Sequence, residues 1–281
     1  LVAQNSVKEA AEAMEKLLVD VSLRKTLGAN ARKFAQKMSW DNVCRRYVDI
    51  YRTNKIEESN LEKFNSPEAI ELYIISSLTA VEEKIISRYF SAGGRTLDIG
   101  CGNGRTTARL AEKFEVIGID FAPEMVKKAK SLYLKLDFRI MNAANLAFPD
   151  NYFDNVFFSF CGIDYSYPKN NRAKVLKEIY RTLKPGGVFA FSSHNSRFIP
   201  NTPGRIKNWL KNFFNFRLFS NYFIDYQVLG KLVTYHAPPS SQIRDLKMAG
   251  FDKEINVLSK ETSKRWLIEF LDPRPYYVAT K

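Results

Sequence analysis

The segment Leu97–Gly104 most constrains how this chain can fold, because it places three glycines directly after a short apolar run. Gly100, Gly102 and Gly104 allow the backbone to turn tightly and to approach a ligand with no Cβ atom in the way. A helix that begins after such a turn offers free N–H groups and the positive end of its dipole. The segment therefore predicts a strand, a ligand-binding turn and a helix in succession.

Short apolar runs alternate with helical patterns around this turn. Such alternation predicts right-handed crossovers and a parallel sheet with helices on both faces. Val156–Phe158 shows no alternation of polar and apolar residues, as expected for a strand that is buried on both sides. The predicted strands are 96–99, 116–119, 138–141, 155–160, 188–192, 255–258 and 276–280, and the predicted helices are 67–90, 106–113, 123–132, 171–183 and 240–249.

The residues around the glycines distinguish between two ligand classes. Dinucleotides favour G-x-G-x-x-G, with the pyrophosphate above the helix start. Here the spacing is G-x-G-x-G, and Asp98 precedes it. A carboxylate beside the turn suits a ligand with an ammonium group, and Asp120 at the end of the second predicted strand can accept both hydroxyls of a ribose. These features favour S-adenosylmethionine, which carries an ammonium and a sulfonium group.

From about Ala69 onward the sequence resembles the class I S-adenosylmethionine-dependent methyltransferases that act on small molecules. The resemblance implies a Rossmann-like, doubly wound sheet of seven strands, mostly parallel with an antiparallel C-terminal strand, and an enzyme that transfers methyl groups. It rests on five segments in the family's order and spacing, which are Leu97–Gly104, Gly118–Met125, Asn142–Phe148, Tyr152–Asp154 and Leu183–Gly187.

The resemblance also implies a cofactor site. Asp98 and the glycine turn would line the methionyl end, Asp120 would bind the ribose, and Phe121 would flank the adenine. Asn142 replaces the family's usual aspartate, so its contact with the adenine edge would carry no charge. The remaining positions would lie beside the adenine or the transferable methyl group. The complete predicted set is Asp98, Gly100, Cys101, Gly102, Asn103, Gly104, Asp120, Phe121, Met125, Asn142, Ala143, Ser159 and Phe160.

Methyl transfer needs a base only where the acceptor must lose a proton. His194 follows the fifth predicted strand, at the sheet edge where ligands gather in such folds, and His236 ends the insertion 195–237. His194 and His236 are the predicted catalytic residues, with Asp164 and Tyr165 as further candidates. Turn capping by His194 and a purely structural His236 are the alternatives. No metal site is predicted, because the three cysteines lie far apart.

Residues 1–55 are predicted to form a helical appendage. A capping box at Ser6–Glu9 starts the first helix, and further helices are expected at 22–38 and 40–51. Leu27–Arg32, Ser39–Trp40 and Tyr51 resemble the C-terminal tail of the two-domain GT-B glycosyltransferases, and an ordinary helical hairpin is the alternative. We interpret the charge-rich residues 56–68 as a linker and 69–281 as a methyltransferase domain.

The insertion 195–237 interleaves aromatic and basic residues. Its predicted helix carries Ile206, Trp209, Leu210, Phe213 and Phe214 on one face. A lid packed on its own domain is favoured. An interfacial helix in peripheral contact with anionic lipid and a surface for single-stranded RNA are the alternatives. The net charge of +13 favours anionic partners without choosing among them.

The leading hypothesis is methyl transfer to a small-molecule acceptor. A sugar or glycolipid hydroxyl is preferred, solely because of the glycosyltransferase-like tail. The alternatives are an RNA (tRNA) methyltransferase and a non-catalytic cofactor-binding partner of a glycan-assembly complex. No uncharged apolar run approaches the ~18 residues of a transmembrane segment, and the isolated cysteines fit the reducing cytoplasm.

Overall fold

The computed structural model describes residues 7–37, 39–40, 44, 55–74, 77–200, 203–214, 221–227, 229–259 and 264–281. The chain divides into two compact units, residues 1–54 and residues 55–281. Most of the predicted helix 40–51 and the capping residue Ser6 lie outside the described residues. Among the described residues, no helix combines the length and the apolar character needed to cross a bilayer.

The described residues of the first unit form the helices α1 (Val7–Val19) and α2 (Val21–Lys37), which match the first two predicted helices. The Asp20 carboxylate accepts a hydrogen bond from the backbone N–H of Leu23 at 2.8 Å and thereby caps α2. The Arg24 guanidinium donates to the carbonyls of Leu17 and Leu18 at 2.5 and 2.6 Å, and so satisfies the last carbonyls of α1. The likeness to a glycosyltransferase tail stays a prediction.

The second unit is built on a sheet of seven strands. They are β1 (Arg95–Ile99), β2 (Glu115–Asp120), β3 (Asp137–Ile140), β4 (Phe153–Phe158), β5 (Leu183–Ser192), β8 (Ile255–Leu258) and β9 (Tyr276–Thr280). Their order in the sheet is β3-β2-β1-β4-β5-β9-β8. β9 runs antiparallel to both of its neighbours, and the pairs β3–β2, β2–β1, β1–β4 and β4–β5 are parallel. The predicted Rossmann-like fold is therefore confirmed.

Helices cover both faces of this sheet. The helices of the second unit are α3 (55–64), α4 (Pro67–Leu72), α5 (Ala80–Tyr89), α6 (Arg105–Leu110), α7 (Pro123–Leu132), α8 (Lys169–Thr182), α9 (Pro203–Phe214), α10 (Pro239–Ala249) and α11 (Arg265–Leu271). Phe157 and Ala190 pack with α5 on one face, whereas Phe158 and Phe189 belong to the core on the other face. The central strands are therefore apolar on both sides.

Two predicted element boundaries are wrong. The expected strand 155–160 ends at Phe158, because Phe160 and Cys161 adopt left-handed backbone angles, with φ of 50° and 56°, and turn the chain away from the sheet. The expected helix 67–90 is divided into α4 and α5. Thr79 caps α5 through a capping box with Glu82, which starts a new helix there.

The interpretation of residues 56–68 as a linker is wrong, because residues 55–64 form the helix α3. Ile56, Asn60, Leu61 and Phe64 recur at helical spacing and are wholly or partly buried. The charged residues between them gave the segment a composition that resembles a linker. A short turn then leads to Ser66, whose hydroxyl caps α4 by accepting from the backbone N–H of Ala69 at 3.2 Å.

The insertion after β5 contains the predicted helix, α9, and also a hairpin of β6 (Tyr222–Gln227) and β7 (Gly230–Tyr235) that was not predicted. The hairpin is joined to α3 by Asn60. The Asn60 side chain donates to the carbonyl of Val233 at 3.0 Å and accepts from the N–H of Val233 at 3.2 Å. A buried amide that satisfies both backbone groups of one residue fixes α3 against the hairpin.

Candidate active site

A cleft lies at the carboxyl ends of β1, β2 and β4. In doubly wound sheets this edge collects ligands, because neighbouring connections run to opposite faces and leave a crevice between them. All the predicted cofactor residues line the cleft except Asp98, which is fully buried, and Gly104, which begins α6. The structure therefore brings residues from four separate sequence segments to one site.

The turn after β1 is shaped by glycines with positive φ. Gly100 has a φ of 64°, and a Cβ atom there would lie 2.8 Å from the ring of Phe158. Gly102 has a φ of 53°, but a Cβ atom there would meet nothing within 4 Å. Gly100 is thus required by packing, whereas Gly102 faces open space in the cleft. Because Gly102 has no Cβ atom on the cleft side of the turn, a ligand can approach its backbone closely.

Asp120 ends β2 and holds the turn in place. Its Oδ2 atom accepts from the N–H of Gly102 at 2.8 Å, and its Oδ1 atom accepts from the N–H of Ala122 at 2.9 Å. Burial raises the pKa of Asp120, and these backbone N–H groups oppose that rise. A carboxylate has about four acceptor sites, so each oxygen keeps capacity for another donor. Two hydroxyls on adjacent carbons fit this remaining capacity.

Asp98 lies beneath the turn rather than in the cleft. Its Oδ2 atom accepts from the hydroxyls of Thr106 and Thr107 at 2.5 and 2.6 Å, whereas Oδ1 is buried without a hydrogen-bond partner. Burial raises the pKa of Asp98 to about 6, although the two threonine hydroxyls favour the ionised form. A carboxylate whose negative charge is incompletely compensated by the protein thus lies buried beneath the glycine turn.

The side of the cleft near β2 and β3 offers apolar surface. The Phe121 ring is 47% exposed although it is large and apolar, and Met125 lies buried beside it. Exposure of a phenyl ring at a cleft wall suits stacking with a flat ligand. Asn142 also lines this side, and its Oδ1 atom accepts from the N–H of Ala144 at 2.8 Å. That side chain is thus held in an Asx turn, which leaves its amide N–H groups for a ligand.

A buried polar cluster forms the wall near β4. The Arg105 guanidinium pairs with both carboxylate oxygens of Glu82 at 2.7 and 2.9 Å. Burial opposes the ionisation of Glu82, but Arg105 holds the pKa of Glu82 below its usual value. Ser159 donates to Glu82 and lies 2.9 Å from the hydroxyl of Tyr276. Arg105 also lies over the ring of Phe160, 4.2 Å from its centroid. Ser159 and Phe160 are thus fixed in position where they line the cleft.

Helix α3 contributes a wall that sequence analysis missed. Glu57, Asn60, Leu61 and Phe64 line the cleft from this helix. The side chain of Asn171, at the start of α8, donates to the Glu57 carboxylate at 2.9 Å. Burial raises the pKa of Glu57, and the hydrogen bond from Asn171 opposes that rise. The helical spacing of apolar residues within 55–64 was the signal that could have identified this wall.

The two predicted catalytic histidines lie together, but neither lines the cleft. The rings of His194 and His236 stack with centroids 4.6 Å apart. His194 Nδ1 lies 2.9 Å from Asp164 Oδ2, and His236 Nε2 lies 2.9 Å from the Thr234 hydroxyl. Burial and the neighbouring His194 lower the pKa of His236 well below its usual value. The pair joins the end of β5 to the hairpin, and its geometry fits a structural contact.

Cys161, Asp164 and His194 place metal-ligand atoms within 4.8 Å of one another. The Asp164 carboxylate is already engaged, since it accepts from Arg172 at 3.0 Å and from Ser193 at 2.7 Å as well as from His194. These donors already use the acceptor capacity that a metal would require. The cluster is accounted for as a buried hydrogen-bond network.

The residues present fit S-adenosylmethionine. Beside the turn, Asp98 Oδ1 and Asn103 Oδ1 are buried acceptors without a partner, and Asn103 lines the cleft. Buried acceptors without donors are uncommon in folded proteins and mark places where a bound donor belongs. An ammonium group bound at the turn would supply a donor for Asn103 Oδ1 and a positive charge near the buried Asp98 carboxylate. The spare acceptor capacity of Asp120 suits a ribose, and the exposed ring of Phe121 suits an adenine.

Comparison with known proteins supports this description of the domain. Residues 96–187 match the methyltransferase-domain family. The Bacillus subtilis protein YqeM is 37% identical over 112 residues, which are 37% of this chain and 43% of that protein. A demethylmenaquinone methyltransferase from Symbiobacterium thermophilum is 36% identical over 133 residues, which cover 42% of this chain and 50% of that protein. The matches thus span half or less of these relatives.

A solved structure shows the same fold. The crystal structure of an S-adenosylmethionine-dependent methyltransferase from Methanosarcina mazei aligns with 73% of this chain and 98% of its own length, with a TM-score of 0.58 and 21% identity. The family match, the sheet order and the cleft at the carboxyl ends of β1, β2 and β4 agree with one another. Residues 96–187 therefore match a methyltransferase domain, and the second unit has the fold of a class I, S-adenosylmethionine-dependent methyltransferase.

Proposed function

We propose that this protein transfers the methyl group of S-adenosylmethionine to a hydroxyl of a small-molecule acceptor. The observation that carries the proposal is the juxtaposition of the glycine turn, Asp98 and Asp120 with a second wall formed by α3. The bound cofactor supplies an electrophilic methyl group on a sulfonium, which is already activated for displacement. The protein then contributes mainly by holding donor and acceptor in line and by excluding water.

The proposal assigns each predicted cofactor residue to one part of S-adenosylmethionine. Asp120 receives the ribose hydroxyls, and Phe121 and Met125 cover the adenine, whose edge reaches Asn142 and Ala143. The positions from Gly100 to Asn103 hold the methionyl group above Asp98. Gly104 acts indirectly, because it sets the start of α6 with a φ of 88°. Ser159 and Phe160 are placed beside the methyl group.

A sugar or glycolipid hydroxyl is the acceptor suggested by the glycosyltransferase-like segment near the N-terminus. A second acceptor class, a hydroxyl on an aromatic ring, is favoured by the aromatic residues Phe64, Tyr73 and Tyr165 that line the cleft. The relative from Symbiobacterium thermophilum is named for an acceptor that also contains an aromatic ring system. A cytoplasmic location, an anionic or lipid-linked acceptor and a peripheral contact of α9 with anionic lipid stay predictions.

The test is direct. Calorimetry with S-adenosylmethionine should show binding to the wild-type protein and at least tenfold weaker binding to Asp120→Asn. Methyl transfer should then be followed with labelled cofactor over nucleotide sugars, lipid-linked glycans, quinols and tRNA. Label in a sugar or quinol fraction would support the proposal. Label found only in tRNA would overturn it in favour of an RNA methyltransferase, and cofactor binding without transfer to any acceptor would favour a non-catalytic partner.

A further inference from the structure

Glu57 is a half-buried carboxylate that lines the cleft but belongs to none of the segments expected to hold the cofactor. Its Oε1 atom accepts from the side chain of Asn171 at 2.9 Å. Among the described residues its Oε2 atom has no hydrogen-bond partner. Asn171 is itself fixed, since its backbone N–H donates to the carbonyl of Pro168 at 2.8 Å. The structure therefore presents a positioned carboxylate with one oxygen available for a ligand.

The sheet order places Glu57 on the acceptor side of the cleft. β1 lies between β2 and β4, so the segments that follow β2 and β4 are on opposite sides of the glycine turn. Asp120 ends β2, whereas Asn171 belongs to the helix that follows β4. The contact between Glu57 and Asn171 therefore puts Glu57 away from the proposed ribose site. It lies on the side where Ser159 and Phe160 are proposed to approach the methyl group.

Three aromatic residues line the same cleft as Glu57. The rings of Phe64 and Tyr165 meet edge to face with centroids 4.9 Å apart, and the Tyr73 ring lies 6.2 Å from that of Phe64. All three residues line the cleft. Rings arranged at different angles present both faces and edges, which are the surfaces that a flat aromatic ligand contacts. Glu57 supplies a carboxylate to the cleft that these rings line.

We infer that Glu57 is the base of the reaction and that the acceptor is a phenol-type hydroxyl on an aromatic ring. The inference rests on the proposed methyl transfer. A phenol ionises near pH ~10, far more readily than an aliphatic alcohol, so a carboxylate with a raised pKa is a sufficient base for it. Of the two acceptor classes proposed above, the phenol-type hydroxyl is therefore the better match to Glu57.

The step balances without another reactant. The acceptor oxygen forms a bond to the methyl carbon while the bond from that carbon to sulfur breaks, and the electron pair remains on sulfur. The hydroxyl proton passes to Glu57 Oε2. The products are the methyl ether, S-adenosylhomocysteine and a protonated Glu57, which releases its proton to water. Asn171 keeps the carboxylate oriented and is a positioning residue.

The test uses 4-nitrophenol as a probe, because its ionised form has a distinct absorbance. The test variant is Glu57→Gln, and the matched control is Glu58→Gln, which changes the neighbouring exposed carboxylate of the same helix. Each protein is titrated with the probe over a range of pH, with and without S-adenosylhomocysteine. Cofactor binding is measured separately by calorimetry. The side-chain amide of the Glu57→Gln variant retains an oxygen that can accept from Asn171, so the helix should keep its position.

In the wild-type protein the Glu57 carboxylate should repel the ionised probe and keep the bound probe protonated to a higher pH than in water. In Glu57→Gln that shift should disappear, and the ionised probe should bind about tenfold more tightly, a change of about 1.4 kcal/mol. Glu58→Gln should behave as wild type. Affinity for S-adenosylmethionine should change by less than about twofold in both variants.

Three results would overturn the inference. The first is a bound probe that ionises at the same pH in wild type and Glu57→Gln. The second is a wild-type protein that binds S-adenosylmethionine but not the probe. The third is a Glu57→Gln protein that loses cofactor affinity while its probe titration stays unchanged, which would place Glu57 in the donor site. A wild-type protein that binds the probe but no cofactor would refute the proposed function and leave the role of Glu57 to be decided by the probe titration.

Discussion

Replacing Asp98 with asparagine should stabilise the cofactor-free protein at alkaline pH while weakening its affinity for the cofactor. Burial raises the pKa of Asp98 from 3.8 to about 6. A carboxyl group whose pKa is raised on folding stabilises the fold below pH 3.8, and that contribution is lost as the pH rises through 6. The difference of about two pKa units corresponds to about 3 kcal/mol by pH 8.

The asparagine variant has no such titration. Its side-chain oxygen can still accept from the hydroxyls of Thr106 and Thr107, and its amide would occupy the position of the orphaned Oδ1 atom. An unpartnered buried amide costs about 1–3 kcal/mol, so the net gain at pH 8 is expected to be small. The difference between pH 4 and pH 8 is a better measure. Relative to wild type, the free energy of unfolding of Asp98→Asn should rise by about 2.4 kcal/mol over that interval.

Urea titrations at a series of pH values measure this difference, and Asp252→Asn is the control because its side chain is exposed. The control should follow the wild-type curve. For S-adenosylmethionine, calorimetry should show tightening as the pH rises through 6 in wild type, because the ammonium attracts the ionised Asp98. At pH 8, Asp98→Asn should bind about tenfold more weakly. Parallel stability curves for wild type and Asp98→Asn would refute the electrostatic reasoning.

The remaining predictions concern the turn and the two buried charged clusters. Arg105→Met leaves a buried carboxylate without its cation, so urea titration should show a loss of about 3–5 kcal/mol, and an unchanged midpoint would show that the pair is dispensable. Gly102→Val should fill the open side of the turn and weaken S-adenosylmethionine binding at least tenfold by calorimetry, whereas unchanged affinity would place the ligand elsewhere. Burial disfavours the charged form of His194, but Cys161 and Asp164 raise its pKa to about 10. The wild-type free energy of unfolding should therefore fall as the pH rises from 6.5 to 10. An equally steep fall of the free energy of unfolding in His194→Gln over this pH range would contradict the prediction.

The sheet could be predicted from the sequence because its information is local. Most strands of the sheet contain a short apolar run, and turn residues bound the elements within a few positions, as at Gly100 after β1 and Gly250 after α10. Crossover rules then predict right-handed connections and a parallel sheet. The hairpin of β6 and β7 escaped prediction, because its strands mix polar, charged and aromatic residues and lie in a segment interpreted by its helical pattern.

The two halves of the cleft differed in how far the sequence could predict them, for a physical reason. The proposed cofactor site depends on the backbone of a single turn. Asp98, Gly100 and Gly102 therefore lie within a few residues of one another, at a fixed spacing that the sequence shows directly. The other half is assembled by contacts over long sequence separations. Glu57 reaches Asn171 across 114 positions, and Asn60 reaches Val233 across 173. No local pattern encodes such pairs, because nothing in the neighbouring sequence marks either polar residue as the partner of the other. The same reasoning applies to His194, which was selected because it follows a strand but lies outside the cleft. The neighbouring sequence predicts where a residue lies along the sheet edge. The direction of its side chain depends on the residues that pack against it.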